Sequence, residues 1–272
     1  MRIALRVLCS VVGLAMVSTS CGRPAEHASA ARVPSQRVSE PVERLSKPKR
    51  AALAGPVDPD MRVGPIFLDG GNLHVCTASV VHSAGGDLVM TAAHCLARGS
   101  RVTFAPGFTG DAAPTDLWTA EAVYLDPRWT AARDPHADYA VMRVSNPSGG
   151  SVESRVGLAL NLGQAPAPGS RVTVLGYPSG VGGSPVGCQA SSEVSDGGYP
   201  AVECEGLVAG TSGGPWVSGT MITGLTGGLE GGGCAEDVSY SAPFDQHVAQ
   251  LLARAEAGGP GDTVPNALDD SC

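Results

Sequence analysis

Gly210-Thr211-Ser212-Gly213-Gly214-Pro215 is the stretch that decides the reading of this chain. A hydroxyl sits at the centre of a turn made almost entirely of residues without bulk. A serine hydroxyl is a weak nucleophile until a base takes its proton. Small neighbours allow backbone and substrate to approach it closely. They also allow the N–H groups of Gly210 and Ser212 to point at one spot, where a developing oxyanion would sit. Alone, such a segment is only a glycine-rich turn, so its meaning depends on what lies upstream.

Two upstream segments supply the missing groups. Thr91-Ala92-Ala93-His94-Cys95 carries an imidazole, the side chain that works as a base near neutral pH. Asp138-Tyr139-Ala140-Val141-Met142-Arg143-Val144 opens with a carboxylate and continues as an apolar run. A buried carboxylate fixes the tautomer of an imidazole and stabilises its charged form. Together they nominate His94, Asp138 and Ser212 as a catalytic triad, with Gly210 and Ser212 as oxyanion donors. Residues 210–214 also satisfy G-x-S-x-G, the nucleophile elbow of α/β-hydrolases. That fold places its histidine after the serine, and the only later histidine is His247, within a predicted helix. The elbow reading is therefore set aside.

The surrounding pattern is β-rich. Short runs of Val, Thr, Ile and Tyr, at Leu73–Val81, 87–91, 117–125, 139–144, Arg171–Gly176 and Met221–Leu225, are separated by Gly, Pro and Asp clusters. The chain has 37 Gly and 21 Pro in 272 residues, as expected for many short strands joined by turns. One helix is predicted from about Phe244, with Phe244, Val248, Leu251, Leu252 and Ala255 on one face. A polar stretch at 145–155 is the candidate boundary between two lobes. No internal sequence repeat is evident.

The three segments, in the order His, Asp, Ser, resemble those of the trypsin-like (chymotrypsin-fold) serine proteases, especially secreted bacterial ones. The resemblance spans roughly residues 60–256. It implies a mostly β fold of two antiparallel six-stranded β-barrels with a C-terminal helix. His94 and Asp138 would come from the first barrel and Ser212 from the second. It implies a serine endopeptidase acting on proteins or peptides through an acyl-enzyme, as a monomer, with neither a metal nor an organic cofactor. Two other functions fit the same fold: a catalytically idle binding module, and an esterase using the same triad. The resemblance also implies a Cys76–Cys95 bridge.

Two positions depart from trypsin. Thr211 stands where animal trypsins carry the Asp that pairs with a newly cut N-terminus, so the site is expected to form without that cut. Gly206 stands where trypsin carries the Asp that selects Arg or Lys. Thr226 stands roughly where glutamyl endopeptidases carry a selecting histidine. Thr226 and Gly227 are the candidate substrate-binding residues, and neither a basic nor an acidic cleavage preference is marked.

The remaining cysteines and the ends of the chain complete the reading. No CxxC pair is present, which argues against zinc or redox chemistry. Cys188 and Cys204 flank the segment before Ser212 and are expected to pair, with Cys234 and Cys272 left to join each other. Arg2 and Arg6 precede an apolar run at 7–17, so residues 1–20 read as a signal peptide. Cys9 would leave with it. Cys21 is either the lipidated first residue of a surface-anchored protein or part of a fully released one. Residues 21–55 read as a flexible linker or pro-segment, 56–258 as the protease domain and 259–272 as a tail. Residues 1–50 carry a net charge of about +6 and the remainder about −14. An acidic domain cannot neutralise phosphates, so nucleic acid is excluded as a partner. Localisation is expected outside the cell.

Overall fold

The structure is a computed structural model that describes residues 51–235 and 237–266. It is mostly β, with two sheets built to one plan. The first uses β1 (Val63–Leu68), β2 (Leu73–Val81), β3 (Leu88–Thr91), β4 (Val102–Phe104), β5 (Trp118–Leu125) and β6 (Ala140–Ser145). Their order is β6-β3-β2-β1-β4-β5, and β5 pairs with β6 to close a six-stranded antiparallel barrel. The second uses β7 (Arg171–Gly176), β8 (Val186–Val194), β9 (Pro200–Glu205), β10 (Pro215–Ser218), β11 (Met221–Leu225) and β12 (Val238–Tyr240). Its order, β12-β9-β8-β7-β10-β11, repeats that of the first. Here the seam is not a full ladder. β11 and β12 meet just beyond β11, where Gly227 N–H donates to Tyr240 O at 3.0 Å and Leu225 N–H donates to Ser241 Oγ at 3.0 Å. The expected pair of six-stranded units is present, with closure of the second reduced to these contacts.

The predicted apolar runs fall on strands because they alternate or are wholly buried. Leu73–Val81, Arg171–Gly176 and Met221–Leu225 are strands over the expected residues. All four residues of β3 are buried, since β3 lies between β2 and β6 in the closed barrel. The first core gathers Ile66, Val80, Met90, Phe104 and Val141. The second gathers Val172, Val174, Val202 and Trp216 around Cys188 and Cys204. These two cysteines are bonded, as are Cys76 and Cys95. A crosslink closing 16 residues stabilises by about 3 kcal/mol through the unfolded chain. Cys9, Cys21 and Cys272 lie outside the described residues, and with them the lipidation of Cys21 and the Cys234–Cys272 bridge.

The polar stretch at 145–155 does separate the two sheets along the chain, but it is not all loop. Val152–Val156 forms a short helix, α2, capped by Ser151 and held by buried Val152. The predicted C-terminal helix is α3 (Gln246–Ala257), which starts at the Asp245 cap. Val248, Leu251 and Ala255 are buried in the core of the first barrel, so the chain returns to the half in which it began.

Both expected domain edges shift. Ala52–Leu53 and Gly55, within the expected linker, are strand residues, because Ala52–Leu53 adds to an edge of β9 and Gly55–Pro56 to an edge of β8. Residues 259–266 are a strap rather than a free tail. Asp262 N–H donates to Val123 O at 2.7 Å, Leu125 N–H donates to Asp262 Oδ2 at 2.7 Å, and Arg254 pairs with the same carboxylate. The strap thus uses polar groups of β5 that would otherwise face solvent.

Asp126 anchors the approach to the Asp138 segment. It caps α1 (Pro127–Ala132), accepts from the Arg128 side chain, and accepts from Tyr139 Oη at 2.8 Å. Burial raises the pKa of its carboxyl, but the donors from Arg128 and Tyr139 outweigh burial and lower it from 3.8 to about 2. A lowered pKa means stability that is present above pH 4 and lost as pH falls towards 2. Asp126→Asn should cost about 1–2 kcal/mol at neutral pH after allowance for screening. Chemical denaturation at several pH values should show the gap to wild type narrowing below pH 4.

Candidate active site

The three nominated side chains lie on turns at strand ends. His94 is in a single 3-10 turn, Ala93–Cys95, directly after β3. Asp138 closes another, Pro135–Ala137, directly before β6. β3 and β6 are neighbours, with Thr91 opposite Ala140, so the barrel register brings the two turns together. His94 Nδ1 is 2.7 Å from Asp138 Oδ2, and His94 N–H donates to Asp138 Oδ1 at 2.9 Å. The second sheet adds a third donor, Gly228 N–H to Oδ2 at 2.7 Å.

Asp138 is 1 % exposed and His94 18 %. Burial pushes the Asp138 carboxyl up, but the charge and hydrogen bond of His94 and the two N–H donors hold it below the ordinary range. It is therefore a carboxylate and only accepts, so the proton between the pair belongs to His94 Nδ1. The other ring nitrogen, Nε2, is then the one that carries the lone pair. Gly227 permits this packing. A Cβ there would lie 3.0 Å from Asp138 Oδ2 and 3.3 Å from Ala92 Cβ.

Ser212 stands at the junction of the two sheets. Its carbonyl accepts from Thr77 N–H on β2 at 2.8 Å, while Gly213 N–H donates to Thr226 O at 2.7 Å. Gly213 has φ +77, and a Cβ there would lie 2.2 Å from Thr77 O and 2.3 Å from Thr91 Oγ1. Only a glycine lets the serine turn seat against the histidine-bearing segment. Gly210, at φ +92, is equally enclosed, since a Cβ there would lie 2.1 Å from Ser179 N.

The amides of the turn divide cleanly. Thr211 N–H donates to Val208 O, Gly213 N–H to Thr226 O and Gly214 N–H to Thr211 O. Among the described residues, the N–H groups of Gly210 and Ser212 have no protein acceptor. These are the two nominated for an oxyanion. Thr211 itself is buried, and its hydroxyl donates to Val208 O at 2.7 Å. A neutral local bond thus occupies the position where trypsin needs an ion pair.

Thr226 and Gly227 are both buried. Thr226 Oγ1 accepts from Trp216 Nε1 at 3.2 Å, and Gly227 backs the Asp138 carboxylate. Each therefore has a task within the protein. His94 also lies close to the sulfurs of Cys76 and Cys95, with the ligand-type atoms of all three within 4.8 Å of one another. Both sulfurs are consumed in the disulfide, so this trio is not a metal donor set. Sequence reading did not nominate Thr77 or Gly228, whose contributions come from main chain or from partners more than 80 residues away.

Comparison with known proteins adds the family. Residues 76–221, which include all three nominated side chains, match the trypsin-like peptidase domain. No curated protein matches the chain in sequence. Among solved structures, the protease Anisep from Arthrobacter nicotinovorans is similar with a TM-score of 0.65 at 23% identity, over 75% of this chain and 100% of that one. A thermostable serine protease, AL20, from an extremophilic microorganism gives 0.63 at 23% identity, over 74% and 99%. A Glu endopeptidase gives 0.61 at 15% identity, over 78% and 99%. At these identities the likeness concerns the fold.

The enclosure of Gly213 has a measurable consequence. Gly213→Ala should lower stability by at least about 2 kcal/mol, from overpacking together with left-handed strain. Gly219 also has positive φ but has nothing within 4 Å of a Cβ, so Gly219→Ala should carry only the strain. Thermal melts of the two variants should differ accordingly.

Proposed function

This chain belongs to the trypsin-like peptidase family and is a serine endopeptidase; we propose that it cuts its substrates by acyl transfer to Ser212. The observation that carries the reading is the His94–Asp138 pair beside a turn with two unclaimed N–H groups. His94 Nε2 takes the Ser212 hydroxyl proton as Oγ attacks the scissile carbonyl. The oxyanion is met by the N–H groups of Gly210 and Ser212. As the C–N bond breaks, His94 returns the proton to the leaving amine. Water then repeats the sequence on the acyl-enzyme and releases the acid. Asp138 stays ionised throughout and stabilises the imidazolium.

Thr226 and Gly227 enter this reading through the main chain. Thr226 holds the nucleophile turn, while Gly227 C=O accepts no protein hydrogen bond among the described residues and is available to a substrate N–H. The neutral Thr211 supports activity without a precise N-terminal cut. The Cys76–Cys95 and Cys188–Cys204 bridges support an oxidising compartment, so we read the enzyme as exported.

Ser212→Ala and His94→Ala should each lower kcat on casein or a peptide amide by several orders of magnitude while the melting temperature holds. Wild-type activity should fall as pH drops through the range in which imidazole gains its proton, because the base must be neutral. Turnover comparable to wild type in either variant would overturn the assignment.

A further inference from the structure

The nominated oxyanion donors belong to the peptide units 209–210 and 211–212, and a peptide unit is oriented by whatever holds its carbonyl. Each of the four consecutive carbonyls here is held. Ala209 O accepts from Ser179 N–H at 2.8 Å, and Thr211 O from Gly214 N–H at 2.9 Å. The two between and after them, Gly210 O and Ser212 O, are both held by Thr77. Its hydroxyl donates to Gly210 O at 2.9 Å and its N–H donates to Ser212 O at 2.8 Å.

Thr77 is fully buried and its polar groups are all engaged. The same hydroxyl accepts from Tyr177 N–H at 2.8 Å, and Thr91 Oγ1 donates to Thr77 O at 2.8 Å. Thr91 lies three residues before His94. One residue of the first barrel therefore grips the serine turn twice, fastens the start of the 177–182 segment and is fastened to the histidine segment. That segment is secured further along: Ser179 Oγ donates to His74 O at 3.0 Å, and His74 Nε2 lies 2.7 Å from Gly182 O. Ser179 is the residue that orients the peptide bearing Gly210 N–H.

We propose that Thr77 is a positioning residue that presets the oxyanion turn, so that a buried neutral hydroxyl does here what an ion pair to a new N-terminus does in trypsin. The inference rests on the acyl-transfer reading of Ser212. The functional content lies in the hydroxyl, because any residue at 77 other than proline retains the N–H to Ser212 O. Threonine, unlike valine of nearly the same shape, both donates to Gly210 O and accepts from Tyr177 N–H.

The test compares wild type, Thr77→Val and Thr77→Ser. It uses kcat and KM on a peptide amide, affinity for a peptide boronic acid, which adds to the serine as a tetrahedral adduct, and the melting temperature. Loss of the hydroxyl should lower kcat by roughly 10²-fold, the order expected when reacting groups are misplaced by about 1 Å, with KM changed far less. Boronate affinity should fall in parallel, and Thr77→Ser should restore most of both. A merely structural role would lower the melting temperature and spare kcat and boronate affinity. A folded Thr77→Val enzyme with kcat within about threefold of wild type would overturn the proposal, as would equal losses in the Ser variant. If Thr77→Val does not fold, Thr77→Ala takes its place under the same criteria. Wild-type turnover that is absent, or that survives Ser212→Ala, refutes the acyl-transfer reading instead; normal Ser212-dependent turnover with an indifferent Thr77 refutes only this role.

Discussion

A buried carboxylate that must stay charged is the constraint on which this structure depends. Desolvating an ion such as Asp138 costs several kcal/mol unless donors replace its water. Three donors do so, and they come from both halves of the molecule: the ring and main chain of His94 from the first barrel, and Gly228 N–H from the second sheet. Separating the halves would strip a donor from a buried charge. The same bonds fix which nitrogen of His94 carries its proton. Docking of the second sheet therefore completes the donor set of the carboxylate that orients His94. The residue after Asp138 is tied down independently, since the Tyr139 hydroxyl donates to Asp126, which also caps α1.

Around this charge the junction is built from small and neutral groups. Gly213 lets the serine turn approach the Thr77 and Thr91 backbones, Gly227 gives the Asp138 carboxylate room, and Gly210 fits beneath Ser179. Hydroxyl and amide bonds then orient the turn. Bonds of this kind hold their strength across the pH range in which the histidine titrates and need no new chain terminus to form. Thr211, beside the serine, is held by such a bond, its hydroxyl donating to Val208 O.

Much of the fold was legible in the sequence because its signals are local. The apolar runs at Leu73–Val81 and Met221–Leu225 are strands over those residues, and the 3.6-residue spacing after Phe244 marks α3. The three chemical segments were legible for a different reason. Each pairs a reactive side chain with unusually small or apolar neighbours, and they follow one another in the family's order. What escaped was contributed by tertiary partners. Nothing around Thr77 distinguishes it from any strand threonine until Gly210 and Tyr177 are brought to it from more than 90 residues away. Ala52–Leu53 and the 259–266 strap have no apolar period of their own and acquire structure from the edges they complete. The substrate pocket was also unreadable. The Thr226 hydroxyl is engaged with Trp216 and Gly227 has no side chain, so neither residue states a cleavage preference.

Peptide mapping by mass spectrometry after exposure of the folded enzyme to a fluorophosphonate is the most direct test of Ser212 as an activated nucleophile. One adduct per chain, located on Ser212 and absent when His94 is replaced by alanine, is the expected result. A chain that stays unlabelled, or one labelled equally at other serines, would contradict it.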